Sequence, residues 1–230
     1  MLENWLIYLI VPMILGFWAQ SKVSRAFRRW SQVRTASGLT GAETAQDILN
    51  AAQIHDVQVV QIDGMLGDHY DPANKRLCLS TATYGSPSVA AVGIAAHETG
   101  HAIQHARAYA PLRLRSAIVP VTSISSRILP FVIFGGFILR AAGLIEIGVI
   151  CYAVLTVFQL ITLPVEYDAS RRAKIILGQM AIIQPGEETA GVNDVLNSAA
   201  LTYVAAFVAA LGNLVYLLSI LNGGGRRRGW

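Results

Sequence analysis

Hydrophobic positions cluster into long apolar stretches near the ends and in the second half of the chain, separated by short periodic segments. Trp5 to Trp18 is the first stretch. Taken as residues 1–20 it reaches the roughly 20 residues a bilayer-crossing helix needs. Glu3 precedes it, and Lys22, Arg25, Arg28, Arg29 and Arg34 follow it. That order is the reverse of a signal peptide, and it predicts an uncleaved anchor with the following chain in the cytoplasm. Residues 21–115 read as a cytoplasmic region. Thr40 and Glu43 make a capping box before the helical apolar positions Ala45, Ile48, Leu49 and Ala52. Val57 to Ile62 and Arg76 to Ser80 read as two strands of a small hairpin, with turn residues Gly64, Gly67, Asp71, Pro72 and Asn74 between them. Ser86 or Ser88 then caps a helix running through His97, His101 and His105.

From Ser116 the chain turns apolar again. Residues 116–163 read as a membrane hairpin: 143–163 is a clean span, whereas 116–139 carries Arg127 between Pro120 and Pro130, so its first half is expected to span or to lie at the interface. Residues 164–198 read as a helix and loop, and 199–230 as a last span ending in Gly223 to Gly225 and Arg226 to Arg228. The pattern predicts a mainly α integral membrane protein with a small β-hairpin and three to four transmembrane helices. Four crossings from an outside amino terminus place the Arg226 to Arg228 cluster outside, against the positive-inside rule. The five basic residues after the first stretch, unopposed by acid from Ala19 to Ser37, decide the orientation.

Composition agrees. Hydrophobic residues make up 53% and charged residues 14% of the chain, against about 25% charged in soluble domains. A disordered chain, a disulfide scaffold and a typical soluble enzyme are excluded. The net charge of +4 comes from clusters flanking apolar spans, where lipid headgroups account for them, so nucleic acid is not the expected partner. Cys78 and Cys151 lie far apart, without disulfide or metal spacing, and read as buried thiols.

The chemistry is concentrated in His97-Glu98-Thr99-Gly100-His101. Residues four apart on a helix share a face, so both imidazoles can bind one metal, with Glu98 beside it as general base. A catalytic Zn2+ takes three protein ligands and a water. The third ligand is expected from Glu166, since two crossings after His101 return the chain to the same membrane face. Asp168 lies about 200° round the helix from Glu166 and is not expected to share the ion. Gly100 is expected to remove bulk near the metal. His105 continues the histidine face and is expected to support the site from outside the ligand set. A fourth ligand there would close the water position. His69, Tyr167, Arg171 and Arg172 are candidate donors to the oxyanion. His69 or Tyr70 is alternatively placed at the rim of a cleft, or simply in a turn. Arg76 to Ser80 is the candidate edge strand that holds an extended peptide beside the metal helix.

The segments Ser37 to Glu43 (SGLTGAE), Asp68 to Pro72 (DHYDP), Ser88 to Ala106 (SVAAVGIAAHETGHAIQHA), Tyr109 to Ser116 (YAPLRLRS) and Leu163 to Ala173 (LPVEYDASRRA) resemble the bacterial membrane neutral zinc metallopeptidase family, the YugP-like proteins. The resemblance implies a zinc protease of the bacterial cytoplasmic membrane, with His97, His101 and Glu166 as ligands and Glu98 as catalytic. More distantly the chain is similar to HtpX-type and prenyl (CAAX) membrane endopeptidases, which carry an E-x-x-A-D pattern on a later helix. Here Ser170 stands where that pattern has Asp, so Ser170, Asp168 or water is expected to orient a metal-binding histidine. The resulting expectation is a gluzincin-like endopeptidase acting at the cytoplasmic face on membrane-proximal proteins or peptides. The competing expectations are a catalytically silent, zinc-stabilised scaffold or protease partner, and a metal transporter. The transporter needs metal groups inside the spans, and the histidines lie outside them.

Overall fold

The computed structural model describes residues 2–64 and 67–225, with side chains described from residue 7 to residue 222, residues 9, 65 and 66 excepted. The predicted anchor at 1–20 therefore lies partly outside the described residues, and Arg226 to Arg228 lie wholly outside them. The chain divides into two compact units, one formed by Ala19–Arg113 and Pro164–Leu201, the other by the chain up to Trp18, Leu114–Leu163 and the chain from Thr202 on.

In the first unit the carboxy-terminal part of α1 (Leu2–Trp30) leads to α2 (Gly41–Ala51). The expected capping box forms in full: Thr40 Oγ1 accepts from Glu43 N–H, and the Glu43 carboxylate accepts from Thr40 N–H. The sheet differs from the expected hairpin. β1 (Gln58–Ile62) runs parallel to β3 (Arg76–Ser80), and β2 (His69–Asp71) pairs antiparallel with β3 on its other side. Arg76 to Ser80 is thus the central strand, not an edge. Its last four residues are buried, as a strand between two others should be. The edge beside the next long helix is β2, within the segment read as a turn. After the short α3 (Thr81–Tyr84), Ser88 caps α4 (Val89–Ala106) by accepting from Ala91 N–H. α4 is lined with Val, Ala and Gly, so it packs closely on α2 in a core shared by Ile48, Leu49, Leu77, Leu79, Val89, Val92 and Ile103.

The remaining helices are longer than the sequence pattern suggests. α5 covers Ala110–Ile138, α6 Ala142–Gln179 and α7 Glu187–Gly225. Glu166 does not open a new helix after Pro164, because α6 runs through that proline. Proline lacks a donor but its φ suits a helix, so the cost is a lost hydrogen bond rather than a chain break. The buried stripe Val165, Ala169, Ala173 and Leu177, all fully inaccessible, continues α6 into the first unit's core. In the second unit the hairpin between α5 and α6 closes over Gly136, where a Cβ would meet Ile145 Cδ1 at 2.6 Å. α5, α6 and α7 are each long and apolar enough to cross a membrane, making three candidate spans among the described residues. Residues 116–138 therefore belong to a helix long enough to span despite Pro120 and Pro130.

Candidate metal centre

Two helices of the first unit build the site. α4 presents His97 and His101 one turn apart, and α6 presents Glu166. One Glu166 oxygen, Oε2, lies 3.3 Å from His97 Nε2 and 3.6 Å from His101 Nε2. One ligand atom from each of the three falls within 4.8 Å of the others. Zinc bonds of about 2.0–2.2 Å in a tetrahedron separate neighbouring donors by roughly 3.3 Å, so the donor set and its spacing fit a zinc ion. His101 and Glu166 are buried and His97 is half-buried.

The close approach depends on Gly100. A Cβ there would meet Ala169 O at 2.8 Å and Ala169 Cα at 3.2 Å. The missing side chain makes room for the backbone of α6 rather than for the ion, and this places Glu166 within reach of the histidines. Burial tends to raise the Glu166 carboxyl, but its contacts with His101 and His97 outweigh that and hold it well below the usual carboxylate range. Burial raises the neighbouring Glu98 carboxyl, against the pull of His97 and His101 and with the push of Glu166 and Asp68. A carboxyl pushed upward is a better proton acceptor near neutral pH than an ordinary glutamate.

Around this centre the structure separates the other candidates. Ser170 Oγ lies 3.1 Å from His97 Nδ1. Asp168 is held by Arg171 and Arg172, each at 2.5 Å. Both arginines face this carboxylate, and Arg172 also lies over the Tyr109 ring at 5.8 Å. His105 Nδ1 is 2.8 Å from the Tyr70 hydroxyl, and His105 is outside the metal-capable group. His69 Nδ1 is 2.8 Å from Gly67 O, and Tyr167 is half exposed. Two contacts were not anticipated from the sequence. Asp68 accepts from Ser80 N–H and Oγ, which fastens the chain entering β2 to the end of β3. Gln104, fully buried, bridges His101 Nδ1, Val165 O and Asp168. Its position three residues after His101 on one helix was the available signal.

Comparison with known proteins agrees with this geometry. A family described as "Putative neutral zinc metallopeptidase" matches residues 5–222. The chain is 45% identical over 215 residues to the "Putative membrane protease YugP" of Bacillus subtilis (strain 168), covering 93% of this chain and 95% of the relative. No solved structure matches.

Proposed function

The chain belongs to this neutral zinc metallopeptidase family, and from that premise we propose that it is a membrane-embedded zinc endopeptidase cutting membrane-proximal proteins or peptides at the cytoplasmic face. The observation that carries the proposal is the convergence of His97 Nε2, His101 Nε2 and Glu166 Oε2, with Glu98 on the adjacent position of the same helix. His97, His101 and Glu166 would hold the ion. Zinc, when bound, supplies Lewis acidity toward a water and the scissile carbonyl. Glu98 takes the proton of the attacking water on a carboxylate oxygen and delivers it to the leaving amine. Its raised affinity for a proton suits both halves of that transfer. Ser170 orients the His97 ring. β2, the sheet edge beside α4, is the strand that can hold an extended peptide by main-chain hydrogen bonds, in place of Arg76 to Ser80. Tyr70 and His105 stand on that side of α4, which suits them to a cleft wall rather than to metal ligation. Arg171 and Arg172 are occupied by Asp168, which leaves His69 and Tyr167 as the stronger oxyanion-donor candidates.

The test is cleavage of peptides by the full-length protein in detergent or proteoliposomes, with zinc content measured alongside. Glu98→Gln should keep its zinc and lose about 10²–10⁴ in kcat. Equal rates for the two forms would refute the assigned base.

A further inference from the structure

Resting on the reading of His97, His101 and Glu166 as zinc ligands, we propose that Gln104 is a positioning residue: its buried amide holds a proton on His101 Nδ1, so that Nε2 is the ring nitrogen left to take the ion. The argument is one of donors and acceptors. A glutamine amide has one end that only donates and one that only accepts. The Gln104 nitrogen lies 2.8 Å from Val165 O and 2.9 Å from Asp168 Oδ2. A carbonyl and a carboxylate can only accept, so the NH2 group must point at them. A flipped amide would set its oxygen against both. Oε1 therefore faces His101 Nδ1, 3.0 Å away, and can only accept there. Nδ1 must carry the proton, and in a neutral imidazole Nε2 is then unprotonated. Gln104 is fully buried, so water offers no alternative partner.

Asp168 anchors the arrangement, because Arg171 and Arg172 hold its carboxylate in place. The carboxylate thus acts on the imidazole through an amide rather than by direct contact. His97 is treated differently. Its Nδ1 meets the Ser170 hydroxyl, which can donate or accept and so selects no tautomer. One ligand is set before the ion arrives, and the other adapts to it.

Two measurements on the full-length protein in detergent decide the proposal. The first is 15N NMR of neutral His101 in the metal-free wild type, which should show Nδ1 protonated and Nε2 bare. The Nε2–H form would overturn the proposal without recourse to any variant. The second is zinc affinity by chelator competition. Gln104→Leu should raise the dissociation constant about 10–100-fold. Gln104→Glu alone sets two carboxylates against each other and should also weaken binding. Gln104→Glu combined with Asp168→Asn restores an acceptor for Nδ1–H and a donor between residues 104 and 168, leaves Val165 O without its donor, and should recover part of the lost affinity. A merely structural role predicts no such recovery, and wild-type affinity in Gln104→Leu, or a double variant no better than Gln104→Glu, would overturn the proposal. If the wild type itself holds no zinc, the metal reading fails, while the tautomer measurement still decides the role of Gln104.

Discussion

α4 and α5 follow one another along the chain, are both rich in small and aliphatic residues, and meet opposite surroundings. α4 is buried over most of its length, including Thr99, His101 and Gln104. On α5 the described buried residues are Ser125 and Gly136, while Phe131, Phe134 and Ile138 are each more than 70% exposed. Apolarity alone does not separate the two; side-chain size and periodic placement do. α4 carries Ala and Gly where neighbouring backbones come close, which lets polar groups sit inside and find partners. α5 turns large side chains outward, as a helix covered by lipid can, because lipid tails are as apolar as those side chains.

The strongest way to sharpen this contrast is metal removal. Zinc at a thousand times its dissociation constant should stabilise the wild type by about 4 kcal/mol. Glu166→Ala should lose that gain, read as thermal unfolding in detergent with and without chelator. If zinc stabilises both forms equally, the polar interior of α4 is not a metal site. Next in size, Phe131→Asp should hinder membrane insertion by about 3 kcal/mol, measured as the inserted fraction in a translocation assay. Insertion as efficient as with Phe131→Leu would place this face of α5 outside lipid.

Gly100→Ala should cost about 1–3 kcal/mol, since the Ala169 backbone cannot yield as a flexible side chain would. It should weaken zinc binding as well. Gly178→Ala meets nothing within 4 Å and should be neutral or stabilising by up to about 1 kcal/mol. Similar unfolding for these two alanine variants would remove close packing as the feature that distinguishes the site helices. The smallest effect concerns Tyr70, whose phenol burial, followed by Asp56 and Asp71, pushes up to about 12. The folded state favours the neutral phenol. The resulting stabilisation is complete below about pH 10, the value of an unfolded tyrosine, and is lost as pH rises toward 12. Tyr70→Phe should cost about 1 kcal/mol at neutral pH through its bond to His105, and should flatten the alkaline fall in stability. An unchanged alkaline limb would count against that contact.

Much of the local structure was legible because it depends on short-range chemistry. The Thr40 and Glu43 box, the Ser88 cap and the placement of His97 and His101 on one helical face need only residues three or four apart. The strand Arg76 to Ser80 was recognisable as a strand but not as a central one, since sheet order is decided by partners far along the chain. The three-residue β2 was hidden in turn residues, being too short to show alternation. Pro164 suggested a helix start where α6 runs on, because local propensity weighs little against the fully buried stripe of Val165, Ala169, Ala173 and Leu177 that follows it. From the sequence Gly100 reads as space near the metal; only the approach of α6 shows that its missing Cβ admits the Ala169 backbone.

The sequence by itself determined the elements of the site, since helical periodicity and metal-ligand chemistry both act over a single turn. It also determined the apolar character of the long helices, because twenty apolar residues in a row leave few other solvents for a helix. Two crossings already point to Glu166 as the third ligand; tertiary structure alone decided that one of its oxygens lies between both imidazoles, that Asp168 reaches one of them through Gln104, and that β2 is the sheet edge beside α4. Those contacts join residues 60 or more positions apart, or strands out of chain order. No local preference encodes them, because they arise only when close-packed faces choose each other.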